Sequence, residues 1–358
     1  MEAVQTVENF APRVLAWFDV HGRKDLPWQK DKTPYRVWIS EIMLQQTQVT
    51  TVIPYYEKFM SSFPDVYALA SAKQDDVLAH WSGLGYYARA RNMHKAATML
   101  VDEFDGEFPK TVEGVCELPG IGRSTASAIL SISRGVQSAI LDGNVKRVLA
   151  RFHAIPNWPG EKKTENRMWG VAESYMPEIR CGEYTQAMMD LGATLCTRSK
   201  PKCHVCPLSE DCAGLASGEP TTFPISKPKK AAKPIKTAQF VVLQSDGKVL
   251  LEKRPASGIW GGLWSLPEFA HDASIVLEAE QRFQCGTQSV MALSSFRHTF
   301  SHYHLDIIPS LVTVKEAVGV HETEKYQWFS VDDAFTLGLP APVRSILESV
   351  EKGDTLLL

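Results

Sequence analysis

An all-helical domain, a basic linker and a smaller α+β domain are what this sequence predicts, and three observations carry that reading. Apolar residues recur at helical spacing early in the chain, as in Val77, Leu78, Trp81 and Leu84, and again in Ala126, Ile129, Leu130 and Ile132. Residues 217–237, SGEPTTFPISKPKKAAKPIKT, hold four prolines among five lysines and cannot build a core. Beyond them the period falls to two: Ala238–Leu243 and Val249–Lys253 flank Ser245-Asp246-Gly247, a hairpin signal. The expected boundaries are therefore 1–216 for the helical domain, 217–237 for the linker and 238–358 for the α+β domain. Further strands are expected at Leu305–Val314 and Tyr326–Phe329, with a closing helix at Pro342–Glu351.

Composition sets the outer limits. A chain of 358 residues with 44% hydrophobic and 22% charged residues is ordinary for a globular protein of about two domains. No apolar run approaches the ~18 residues of a membrane span, and MEAVQTVENF lacks the order of a signal peptide, so neither membrane nor export is expected. A net charge of −3 gives no global basicity, so any nucleic-acid surface must be local. Seven cysteines are present, four of them between Cys196 and Cys212, which favours metal over disulfides. Cys116, Cys181 and Cys285 are scattered and read as packing residues.

Taken in chain order, the first chemical candidate is Glu41. The segment Pro34–Gln48, PYRVWISEIMLQQTQ, reads as a helix that sets Glu41 beside Ile39, Ile42, Met43 and Leu44. Apolar crowding raises a carboxyl pKa and can keep it protonated near neutrality, as a general acid requires. On pattern alone, a lone helical glutamate more often faces solvent. Next, Thr111–Arg134 places Leu118-Pro119-Gly120-Ile121-Gly122 between two helices. Gly120 and Gly122 allow a sharp turn with bare N–H groups, and the second helix adds its positive dipole end, which suits a phosphate oxygen. The plainer alternative is a tight turn between packed helices. Asp142, in Leu141-Asp142-Gly143-Asn144, precedes an apparent helix and has the position of an N-cap. The spacing Cys196-x6-Cys203-x2-Cys206-x5-Cys212 can wrap one centre, either an all-thiolate zinc site or a [4Fe–4S] cluster.

The hairpin, the aspartate about twenty residues beyond it and this cysteine spacing resemble the helix-hairpin-helix, iron–sulfur base-excision glycosylases of the endonuclease III superfamily. Leu26-Pro27-Trp28, the Glu41 helix and Gly83-Leu84-Gly85-Tyr86-Tyr87-Ala88-Arg89-Ala90-Arg91 narrow the similarity to adenine DNA glycosylases of the MutY family, over nearly the whole chain. That resemblance implies a helical glycosylase domain with a [4Fe–4S] loop at 196–212 and a hairpin at 111–134, followed by a Nudix-like domain. It implies removal of adenine opposite 8-oxoguanine or guanine in duplex DNA. Glu41 then protonates adenine and Asp142 stabilises the cationic sugar, while Cys196, Cys203, Cys206 and Cys212 hold the cluster. Trp28, Gln46, Tyr86, Gly120, Gly122, Ser124, Asn144 and Gln186 are expected at the DNA or base pocket, with Tyr86 as the wedge. Arg198, Lys200 and Lys202 are expected against the DNA backbone, where cations supply salt-dependent affinity. A cytoplasmic monomer, nucleoid-associated if bacterial, is the expected state.

The same resemblance separates this chain from its rivals. Bifunctional relatives carry a nucleophilic lysine early in the second hairpin helix, where this chain reads Gly122-Arg123-Ser124-Thr125. Ser124 cannot form a Schiff base, so a monofunctional enzyme is expected over a glycosylase/lyase for oxidised pyrimidines; Lys146 offers at most a side reaction. Some relatives have tyrosine at the Ser124 position. In the second domain, Gly258–Pro267 resembles a Nudix fold, yet His271–Gln284 lacks an Arg-Glu-x-x-Glu-Glu cluster, so pyrophosphate hydrolysis is not expected. Adenine is an undamaged base, so discrimination must read the opposite one. Phe296–His302 matches the family's recognition loop, with Phe300, Ser301 and His302 at its tip and Ser301 placed to accept the N7–H that distinguishes 8-oxoguanine.

Overall fold

A computed structural model describes residues 8–227, 232–315 and 323–353. They divide into two compact units, one formed by the chain up to Ser71 and from Lys95 to Lys229, the other by Ala72–His94 and the chain from Lys230 onward. Among the described residues no helix is long and apolar enough to cross a membrane.

The first unit is helical, for reasons legible at each helix start. Thr33 accepts a hydrogen bond from the Arg36 N–H and Pro34 occupies the first turn, so the helix Pro34–Met43 begins with a side-chain cap and a preset φ. Thr111 caps Val112–Cys116 in the same way. The second hairpin helix, Arg123–Arg134, buries Ala126 through Ser131, and these mostly small residues pack against Pro34–Met43 and Cys181–Asp190. A core of Phe10, Val14, Phe18, Val145, Leu149, Phe152, Met188 and Leu191 lies beside it. Each such large side chain contributes about 1.5–3 kcal/mol by leaving water.

The second unit is built on one sheet. Its strands are β1 (Ile235–Ser245), β2 (Lys248–Lys253), β3 (Trp264–Ser265), β4 (Glu268–Ala270), β5 (Gly286–Ala292), β6 (Phe296–Thr299), β7 (His304–Lys315) and β8 (Tyr326–Ser330). The order is β3-β2-β1-β7-β5, with β4 on β1, β6 on β7 and β8 on β2. The pair β1–β7 is parallel and the other pairs are antiparallel. Asp246 and Gly247 both have positive φ, which is the two-residue turn that matches strand twist. The helix Ile275–Phe283 covers one face through Ala279 and Phe283. The first strand starts at Ile235, inside the Pro/Lys-rich segment, because Ile235 to Gln244 pair continuously with His304 to Thr313. Ala72–His94 joins this unit through Lys253–Asp75, Arg91 Nη1 donating to the Gly261 carbonyl (2.7 Å), and Ser82 and Tyr87 on the Leu339 carbonyl.

Candidate active site and iron–sulfur loop

Glu41 stands in the last turn of the helix Pro34–Met43, beside the buried Ser40, Ile42 and Met43. The residue is half-exposed overall, while its carboxyl lies deep among protein atoms. Burial first, and the charge of Asp142 second, push its pKa up to about 8. Asp142 caps the helix Gly143–Phe152: Oδ1 accepts from the Val145 N–H (2.8 Å) and Oδ2 from Asn144 Nδ2 (3.2 Å). Burial raises this carboxyl as well, but the Val145 and Asn144 backbone N–H groups, Arg147 and the Asn144 amide all pull it down. No such downward influence acts on Glu41. Both carboxyls are thus raised by burial, Glu41 to about 8, while hydrogen bonds that favour the charged form act on Asp142.

The surroundings of Asp142 are fixed from both sides. Ser124 Oγ, in the second hairpin helix, accepts from the Leu141 N–H at 3.0 Å, so the hairpin holds the strand that leads into the aspartate. Gly120 turns with φ +79° and Gly122 forms the N-cap, both exposed, leaving the hairpin tip open to a ligand. On the other side, Arg147 donates to the Asn144 amide oxygen (2.8 Å), the Gly192 carbonyl (2.6 Å) and the Cys196 carbonyl (2.7 Å). Gly192 opens a π-helical turn, Leu191–Leu195, that ends on Cys196; a Cβ there would lie 2.6 Å from the Asn144 Cβ, so only glycine lets the two segments approach. Lys146 is paired with Glu165 at 2.5 Å.

Cys196, Cys203, Cys206 and Cys212 wall a single cavity, together with Val148, Phe152, Leu191, Leu195, Leu208 and Leu215. Among the described residues no three His, Cys, Asp or Glu side chains are grouped for a lone metal ion. Four thiols around one apolar hollow fit a thiolate-held iron–sulfur cluster. Burial lifts the Cys206 thiol to about 11, and coordination would deprotonate it. Arg151 is 2% exposed and ties the loop together. It donates to the carbonyls of Phe223 (2.9 Å), Thr197 (2.7 Å) and Arg198 (2.7 Å), and Nη1 lies 3.4 Å from Cys196 Sγ. Arg198, Lys200 and Lys202 are exposed on the same loop.

Trp28 is buried edge-on against Tyr56, with ring centroids 5.4 Å apart. Gln186 is buried, accepts from Gln29 Nε2 at 2.5 Å and donates to Asp190, which Arg23 also grips. Gln29 and Arg151 escape a reading of the sequence because neither has a local pattern; their partners lie far along the chain. Gln46 falls beyond the Glu41 helix, exposed, with φ +57°.

The second unit carries the remaining candidates. Tyr86 is 54% exposed at the end of a loop in which Gly83, Gly85 and Tyr86 all have positive φ. Phe300 packs on Trp260 (5.2 Å), His298 (4.6 Å) and Tyr303 (4.7 Å), and the adjacent Ser301 and His302 are exposed in the turn between β6 and β7. Ser301 Oγ lies 3.3 Å from His302 Nδ1.

A family model described as the HhH-GPD superfamily of base excision DNA repair proteins matches residues 39–174. One for the iron–sulfur binding domain of endonuclease III matches 196–212, and one for a NUDIX domain matches 238–349. The chain is 41% identical over 345 residues to the adenine DNA glycosylase of Buchnera aphidicola subsp. Acyrthosiphon pisum, covering 96% of this chain and 98% of the relative. It is 34% identical over 363 residues to the adenine DNA glycosylase of Homo sapiens, covering 84% and 66%. Among solved structures, a thermostable thymine-DNA glycosylase superposes with a TM-score of 0.54 at 25% identity, over 58% of this chain and 95% of that one. A trapped endonuclease III–DNA covalent intermediate gives 0.52 at 20% identity, over 61% and 99%.

Proposed function

The chain belongs to the adenine DNA glycosylase family, base-excision enzymes that hydrolyse N-glycosyl bonds, and we propose that it removes adenine paired with 8-oxoguanine or guanine in duplex DNA. The observation that carries the reading is a pair of electrostatically coupled carboxyls, Glu41 lifted to about 8 and Asp142, also raised by burial, hydrogen-bonded at its helix cap and influenced by the Arg147 guanidinium. Protonated Glu41 delivers its proton to adenine N7 and makes the base a neutral leaving group. Asp142, anionic, faces the positive charge that develops on the sugar as the bond breaks. Water then adds to the sugar and leaves an abasic site. The amide pair of half-buried Gln29 and buried Gln186, with Trp28, supplies the polar edge and the flat wall that a purine needs.

The enzyme is a monofunctional glycosylase in this reading. Ser124 carries a hydroxyl where a lyase needs an amine, and Lys146 is paired with Glu165, so neither supplies a free amine nucleophile. The four cysteines hold the family's [4Fe–4S] cluster, which when bound braces the loop that presents Arg198, Lys200 and Lys202 to phosphates. Tyr86 is the wedge that fills the space left by the extruded adenine, since an inserted aromatic offsets unstacking. Ser301 reads the opposite base. We read the helical unit as the glycosylase and the sheet-bearing unit, which takes in Ala72–His94, as the lesion reader, acting as a monomer.

The test is single-turnover release of adenine from duplexes carrying A opposite 8-oxoguanine, guanine or cytosine. Release opposite 8-oxoguanine and guanine, without strand cutting until base or heat is added, is expected. Strand nicking on oxidised pyrimidines with no adenine release would install the glycosylase/lyase reading instead.

A further inference from the structure

The loop that presents Tyr86 belongs to the sheet-bearing unit, although it lies far ahead of that sheet in sequence. Tyr86 has φ +48°, a left-handed conformation that a bulky aromatic residue holds only where its neighbours enforce it. Several groups do so from within the unit. The carbonyl of Gly85 accepts from Trp81 Nε1 (3.1 Å) and Arg89 Nη2 (3.2 Å), and the Arg89 guanidinium lies over both the Trp81 ring (5.2 Å) and the Tyr86 ring (5.7 Å). The next side chain, Tyr87, turns inward and is 7% exposed. Its hydroxyl accepts from the Gly83 N–H at 3.2 Å, at the start of the loop, and donates to the Leu339 carbonyl at 3.2 Å, just before the closing helix Ala341–Glu351. Ser82 Oγ donates to the same carbonyl at 3.2 Å.

One hydroxyl therefore closes the loop on itself and pins it to the C-terminal part of the unit. We propose that Tyr87 is the positioning residue for the Tyr86 wedge: its hydroxyl bridge from Gly83 to Leu339 fixes the aromatic to the same body that carries Ser301. The wedge and the lesion reader then engage DNA as one piece. Tyr87 touches no reacting atom; it acts through the geometry of Tyr86. This rests on the wedge reading of Tyr86 given above.

A double-mutant cycle in the full-length protein tests it. Tyr87→Phe keeps the buried ring and leaves Ser82 on Leu339, so folding is retained, which thermal unfolding checks. The expected result is an about tenfold slower single-turnover release of adenine opposite 8-oxoguanine. The midpoint of the pH profile should not move, because Glu41 and Asp142 are untouched. Tyr86→Ala is expected to be slower still, and adding Tyr87→Phe to it should change nothing further. Multiplying effects of the two substitutions, or a normal rate in Tyr87→Phe, would overturn the positioning role while leaving the wedge intact. A normal rate in Tyr86→Ala would remove the wedge itself, and the proposal with it. Should Tyr87→Phe unfold early, Ser82→Ala reports on the same carbonyl, with a smaller loss that again must vanish in the Tyr86→Ala background; a loss that persists there counts against the proposal.

Discussion

What acts on Glu41 is burial and then the neighbouring Asp142 charge, both upward, whereas Asp142 is a helix cap held by two hydrogen bonds. In the proposed mechanism the same carboxyl chemistry serves once as acid and once as anion, and two results follow at this scale. Glu41→Gln removes the transferable proton but keeps the shape, so binding to an A·8-oxoguanine duplex should survive while base release falls at least about a hundredfold. In the parent enzyme release should decline as pH rises through about 8, where Glu41 loses its proton. Stability moves in the same direction. Between the ordinary value of 4.5 and about 8 the folded chain holds a proton that the unfolded chain does not, so the contribution of Glu41 is full below that window and lost above it. Glu41→Gln should therefore match the parent in thermal midpoint at low pH and exceed it above about pH 8. Equal midpoints throughout that range would mean that the carboxyl ionises normally in the fold.

At the scale of elements, the cysteine loop depends on one arginine from a neighbouring helix. Arg151 satisfies carbonyls at Thr197, Arg198 and Phe223 and sits against Cys196, so Arg151→Met would strand three carbonyl acceptors and leave the loop without its tie. A loss of about 2 kcal/mol or more in denaturant unfolding is expected, with less iron retained per chain. Full iron and unchanged stability would show that the cysteines brace themselves. This element also marks how far sequence reaches. The cysteine spacing, the Leu118–Gly122 turn and the Asp142 cap are legible because each is a local pattern of a few residues. Arg151, Gln29 and Gly192 are not, since the reason for each is a partner brought in by tertiary packing. The helix Ile275–Phe283 and strands β3, β4, β5 and β6 are missed for a related reason. They are short or, like β5, mostly exposed, so no apolar alternation marks them. Helical periodicity in Val77, Leu78 and Trp81 correctly gives a helix but says nothing about which core it joins, and Ala72–His94 joins the unit of the sheet.

At the scale of the whole molecule, the proposed function assigns chemistry and choice to different units. Glu41 and Asp142 belong to the helical unit, and in that proposal they act on a normal base, which gives them no means of knowing that the pair is an error. Ser301 belongs to the unit of the sheet, exposed beside Phe300, whose ring is packed among Trp260, His298 and Tyr303. That packing anchors the turn at Phe300 and leaves the small Ser301 hydroxyl exposed beside it. Guanine offers an acceptor at N7 and 8-oxoguanine a donor, so a hydroxyl whose own proton is given to His302 Nδ1 gains one hydrogen bond by accepting from the lesion and has none to give the normal base. A single hydrogen bond separates rates by about tenfold. Ser301→Ala should therefore slow excision opposite 8-oxoguanine by about that factor and leave excision opposite guanine unchanged, as measured by single-turnover release on the two duplexes. A parallel loss on both would make Ser301 a general DNA contact. An unaltered ratio at an unaltered rate would move lesion reading to another residue of the turn, with His302 next in line because its ring nitrogen lies beside the same hydroxyl.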